Sequence, residues 1–75
     1  MATRKSFVVC VQNEGHAASL ELRKIYQSLA DADAGREGQL RVIDESGEDY
    51  LYPSEFFAAI DLTPALKRAV LAAAE

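Results

Sequence analysis

The chain has 75 residues, 49% of them hydrophobic and 27% charged. That suits one soluble domain burying roughly 60% of its unfolded surface, which argues against a deep cleft between two lobes. A net charge of −4 argues against a dedicated nucleic-acid protein, whose affinity would rest on Lys and Arg at phosphates. The single cysteine, Cys10, excludes an internal disulfide and points to a reducing cytoplasm.

The N-terminal MATRKSFVVCVQNEG carries charges and then a short apolar run. That run is too brief for a signal-peptide core or a membrane span, so no membrane association is expected. Within it, Ser6 to Gln12 is rich in β-branched residues and bounded by Asn13-Glu14-Gly15, which reads as a strand. Alternation puts Phe7, Val9 and Val11 on one face and Val8 and Cys10 on the other. Both faces are apolar, so burial on both sides is expected.

The next segment supports two readings. Leu22, Ile25, Tyr26 and Leu29 follow a helical stripe, with Ser19 as cap and Gly35 as stop. At period two, Leu20, Leu22 and Tyr26 share a face that Lys24 interrupts. Pattern alone favours a helix at about 19–34.

From Gly38 to Asp44 the chain again reads as a strand. Ser46-Gly47 marks a turn, Asp49 to Tyr52 the returning strand, and Pro53 its stop. A single helical turn is expected at Pro53–Phe57 and a last short strand at Ala58–Asp61. Thr63 before Pro64 reads as an N-cap followed by proline at the first helical position. Leu66, Ala69, Val70 and Ala73 would share one face of the terminal helix.

Asp44, Glu45, Glu48 and Asp49 crowd the hairpin tip, but their spacing fits no calcium loop. Counted from Asp44, the sixth position, where an EF-hand needs glycine, is Asp49. No apolar burial is evident that would shift a carboxylate pKa for acid-base work. The cluster reads as a wet turn, with Gly47 for positive φ and charges that discourage edge pairing.

Cys10 sits in an apolar strand, where a thiol packs as a small hydrophobe rather than reacting. His16 has no second histidine or spaced cysteine for zinc, and Gly15, Gly35, Gly38 and Gly47 form no phosphate loop. No catalytic residue, metal site or cofactor is expected, and the chain does not read as an enzyme.

The aromatic residues cluster instead. With Leu51 facing the core, Tyr50 and Tyr52 would form an exposed platform beside Pro53, with Tyr26 and Phe57 nearby. Such an amphipathic surface suits a peptide or protein partner.

The stretch RVIDESGEDYLYPSEFF followed by AAIDL (residues 41–62) resembles the C-terminal half of an SH3-like barrel. The wider run from Lys24 to Pro53 resembles small uncharacterised bacterial proteins with an RVIDESGEDYLYP-type segment. That resemblance implies that Lys24–Leu29 is a strand, against the periodicity count. It brings no activity with it. The chain has no tryptophan such as peptide-binding SH3 domains use, so only Pro53 and Phe57 could stand in for their groove.

The expected fold is therefore mainly β. It is a small SH3-like barrel of about five strands (about 6–62) with a short C-terminal helix (about 64–74), forming one domain. The α+β arrangement with a helix at about 19–34 is the alternative. The expected function is a cytoplasmic, non-catalytic interaction module or accessory subunit with a protein partner. Tyr26, Tyr50, Tyr52, Pro53 and Phe57 are its contact residues. A small RNA- or DNA-binding accessory protein is the alternative, and the terminal helix is the alternative docking element, or a homodimer contact.

Overall fold

Strand β1 (Lys5–Cys10) lies inside the sheet, between β2 (Ile25–Leu29) and β5 (Phe57–Ile60), and buries Val8 and Cys10 on one face and Phe7 on the other, with Val9 half-buried. The computed structural model describes residues 5–73. After β2 come the short helix α1 (Ala32–Arg36), β3 (Gln39–Ile43), β4 (Asp49–Pro53) and a 3₁₀ turn at Ser54–Phe56. Helix α2 (Pro64–Ala73) follows β5.

The five strands form one antiparallel sheet in the order β4-β3-β2-β1-β5. The mainly β fold with a C-terminal helix is the one expected, and the sheet stands open between its edge strands β4 and β5. The helix alternative over 19–34 is not adopted, since β2 occupies the middle of that span and pairs on both sides, Val8 facing Tyr26 and Ser28 facing Val42. The stripe at Leu22, Ile25, Tyr26 and Leu29 thus yields to pairing partners that lie far off in sequence.

The core lies on one face of the sheet. Val8, Cys10, Tyr26, Val42 and Tyr52 project onto it, and Leu20 and Phe56 close it from above; Leu40 and Phe57 pack at its margin. Leu20 belongs to the loop between β1 and β2, yet it is fully buried. Turn hydrogen bonds fold that loop over the core, from His16 N to the Asn13 carbonyl and from Leu20 N to the His16 carbonyl. The Asn13 side chain then donates to the Leu20 carbonyl at 3.0 Å.

Where the loop enters β2, the Cys10 carbonyl accepts from Arg23 N at 2.7 Å and Cys10 N donates to the Lys24 carbonyl at 2.9 Å. Two residues oppose one, a bulge that leaves Arg23 at φ 64° in the left-handed region.

Asp31 caps α1, its side chain accepting from Ala34 N at 3.0 Å. Thr63 caps α2 as its sequence position suggests, the hydroxyl accepting from Leu66 N at 3.2 Å. Between α2 and the outer sheet face runs an open groove lined by Phe7, Ile25, Ile43, Val70 and Leu71. Helix α2 is described to Ala73; the expectation for residues 74 and 75 lies outside the described residues.

Candidate functional site

The five residues expected to meet a partner divide between core and surface. Tyr26 and Tyr52 are 6% and 4% exposed, Pro53 and Phe57 are half-buried, and Tyr50 is 48% exposed. Tyr26, Phe57 and Tyr52 do come together, with ring centroids 6.5 Å and 6.2 Å apart, but inside the fold. The platform of two exposed tyrosines is therefore corrected. Leu51, expected inside, is 41% exposed.

The reason lies in the register. Tyr52 pairs with Leu40 and Tyr50 with Val42, whereas Leu51 pairs with Arg41. Val42 is fully buried, so the tyrosine face of β4 is the core face. Tyr50 shares that face but stands next to the turn, where no core residue covers it. A phenol can sit inside only if its hydroxyl finds a partner, and the acidic hairpin supplies one for each buried ring.

The Tyr52 hydroxyl donates to Asp44 Oδ2 at 2.6 Å, with Ser19 Oγ 3.1 Å away. The Tyr26 hydroxyl donates to Glu45 Oε2 at 2.5 Å and accepts from Glu21 N at 2.7 Å. Glu45 also takes Lys24 Nζ at 2.6 Å, and its backbone N–H donates to the Ser19 carbonyl at 3.0 Å. Through these bonds the loop that carries Leu20 is fastened to the hairpin.

The reading of the four carboxylates as a wet turn holds for Gly47, which has φ 83°, and fails for Asp44. Asp44 is 6% exposed and accepts from both Ser46 N and Ser46 Oγ, at 2.9 Å and 2.5 Å. Burial is the strongest single influence on its carboxyl and pushes the pKa up. The bonds from Ser46 and Tyr52 together outweigh it and hold the group below the usual carboxylate range.

Glu48 and Asp49 have separate tasks. Glu48 accepts from the Tyr50 hydroxyl at 3.1 Å. Asp49 accepts from Arg41 Nη1 at 2.9 Å, while Arg41 Nε reaches Asp31 at 2.9 Å. Each of the four carboxylates thus serves its own donors. Among the described residues no group of three His, Cys, Asp or Glu side chains is gathered to hold a metal ion.

Cys10 is fully buried; burial pushes its thiol pKa up, and the thiol donates to the Gln12 carbonyl at 3.2 Å. His16, read from sequence as a loop residue, stacks edge-on against Tyr52 and Phe56 with centroids 5.0 Å and 5.9 Å away.

His16, Ser19, Asp44, Ser46, Tyr50 and Tyr52 line a hollow of about 440 Å³ beside β4. Sequence reasoning missed His16, Ser19, Asp44 and Ser46 as its members. The signal available was two alternate tyrosines needing buried acceptors, with Asp44 and Glu45 just upstream of them.

Among the described residues no helix is long and apolar enough to cross a membrane. Compared with protein-family models, with curated proteins and with solved structures, the chain matches none.

Proposed function

We propose that the chain is a non-catalytic interaction module that receives an extended segment of a partner protein along the edge of β4. The observation that supports this reading is that β4 is an edge strand whose Tyr50 and Leu51, 48% and 41% exposed, stand on its two opposite sides.

Bonded and non-bonded pairs alternate in an antiparallel ladder. Ser54 N donates to the Gly38 carbonyl and Asp44 N to the Glu48 carbonyl, so the bonded pairs are Leu40 with Tyr52 and Val42 with Tyr50. Asp49 and Leu51 therefore turn their peptide groups to the open side. An added strand would hydrogen-bond there and rest side chains on Tyr50 and Leu51. Pro53, which has no N–H, ends the edge and keeps the contact short.

Lys24, Arg36 and Arg41 are each held in ion pairs with carboxylates, and together with the net charge of −4 this weighs against the nucleic-acid alternative. Leu66 and Leu71 of α2 are 52% and 44% exposed, which favours α2 as the contact if the chain forms dimers. Sedimentation of wild type against Leu66→Glu would read that contact as a change in mass.

The test of the module is affinity capture from a lysate of the source cell with wild type and Leu51→Pro. Proline at this outward-facing edge position removes the open N–H while sparing the ladder. A partner held by wild type and lost by a folded Leu51→Pro protein supports edge pairing; one that both hold equally overturns it.

A further inference from the structure

The geometry points to the hollow beside β4 as a seat for the ammonium group of a partner's lysine, with Asp44 as its counter-ion. This inference rests on the reading of the chain as an interaction module.

The first observation is a buried carboxylate whose charge is met by hydrogen bonds. Asp44 is 6% exposed and hydrogen-bonded, yet among the described residues it makes no ion pair. Buried carboxylates are ordinarily paired with a cation. Lys24 sits beside the neighbouring residue, but it is engaged by Glu45 and Glu21. Three donors reach Asp44, two on Oδ1 and one on Oδ2. Of the two oxygens, Oδ2 takes fewer donors than Oδ1.

The second observation is where Asp44 lies. It is among the residues that line a hollow open to solvent. Ser19 and Ser46, which carry hydroxyls, and Tyr50 and His16, which carry aromatic rings, belong to the same lining. The Tyr50 hydroxyl of that lining donates to Glu48 at 3.1 Å, a second carboxylate close by. An ammonium carries three donors and no acceptor. Three oxygen types around an anion suit it, and a phenol ring beside it adds cation–π attraction.

A guanidinium suits the hollow less. Its planar fork favours a carboxylate with both oxygens open, whereas Asp44 Oδ1 already accepts from both Ser46 donors. A partner strand on β4 would pass directly beside the hollow, since Tyr50, Leu51 and Tyr52 are among its lining residues.

The test is a titration of the isotope-labelled protein, followed by amide chemical shifts at pH 8, above the ordinary imidazole range. Three probes are compared: N-acetyl-lysine methylamide, its norleucine counterpart without the ammonium, and the arginine counterpart. The expected result is saturable shifts at Ser19, Ser46 and Tyr50 with the lysine probe, in the millimolar range and weakened by salt.

Tyr50→Ala removes an exposed wall and should weaken the lysine probe by about two- to fivefold. Asp44→Asn should abolish the shifts; because Asp44 also holds Tyr52, the Tyr50 variant decides if that protein fails to fold. Equal shifts with norleucine, a preference for the arginine probe, or no saturable shift at these residues overturns the inference. The two readings fail separately. Lysine shifts with a partner still held by Leu51→Pro sink the edge reading alone; a partner lost by Leu51→Pro without lysine shifts sinks the hollow alone.

Discussion

The hydroxyl of Tyr52 donates to Asp44 Oδ2 across 2.6 Å, and this bond goes with a β4 whose tyrosines, not Leu51, face the core. Tyr52→Phe keeps the ring but leaves a buried carboxylate short of one donor. A hydrogen bond to a charged group is worth about 1.5–3 kcal/mol, a large share of the stability of a domain this small. The Tyr52→Phe midpoint should fall accordingly in chemical denaturation. Tyr50→Phe, on the same strand but exposed, should stay within about 0.5 kcal/mol of wild type. Equal effects of the two substitutions would refute the burial difference.

Acid should weaken the fold through Asp44 and Glu45. Lys24 and then Tyr26 hold Glu45 below its ordinary range, and Asp44 is held low by its hydrogen bonds against burial. A depressed folded pKa contributes stability above the unfolded value, and that stability is lost as pH falls through the folded one. With unfolded values of about 3.9 for Asp and 4.3 for Glu, urea midpoints should be level down to about pH 5 and drop below about pH 4. Tyr52→Phe should flatten part of that drop. Midpoints that rise on acidification would contradict the scheme.

At the alkaline end the sign reverses. Burial, then the bond to Glu45, pushes the Tyr26 phenol well above its ordinary value; burial and Asp44 do the same for Tyr52. A raised pKa contributes stability below the unfolded value, about 10 for tyrosine, and that stability is lost as pH rises through the folded pKa. Ultraviolet titration should therefore show phenolate appearing late and together with unfolding. A half-maximal phenolate signal at about pH 10 from a folded protein would contradict this.

Cys10 should report unfolding. It is 0% exposed with its thiol pKa raised by burial, so a thiol reagent should label it only through opening of the fold. The expected result is slow labelling that accelerates with denaturant. Immediate labelling of the native protein would show that β1 is more accessible than its pairing implies.

Arg23 tests the bulge. A non-glycine residue in the left-handed region costs roughly 1–2 kcal/mol, and glycine removes that cost while adding disorder to the unfolded chain. Arg23→Gly should therefore be neutral or stabilising by up to about 1 kcal/mol. Arg23→Val should destabilise by more than about 1 kcal/mol. The reverse order in thermal denaturation would exclude a strained turn.

The elements held by local chemistry were legible in the sequence: the Ser46-Gly47 turn, the stop at Pro53, the turn before β5 and the Thr63 cap. Alternation also assigned Tyr50 and Tyr52 correctly to one face. Which face was the inside depended on Leu20 and Phe56, which close the core from elsewhere in the chain, and no local pattern carries that information. The same holds for Asp44, whose role appears only once Tyr52 lies beside it. The helix α1 was missed because its five residues are too few to show a stripe; Asp31 was its one local signal.

The pairing of β1 with β5, Phe7 facing Ile60, bears on how the protein is made. The meander β2-β3-β4 can assemble from neighbouring segments as the chain is synthesised, but one flank of β1 waits until residue 60 has emerged. Closure across such a separation is the slow kind of step in folding. The nascent chain should therefore carry an unprotected β1 flank, and need shielding, until β5 has emerged.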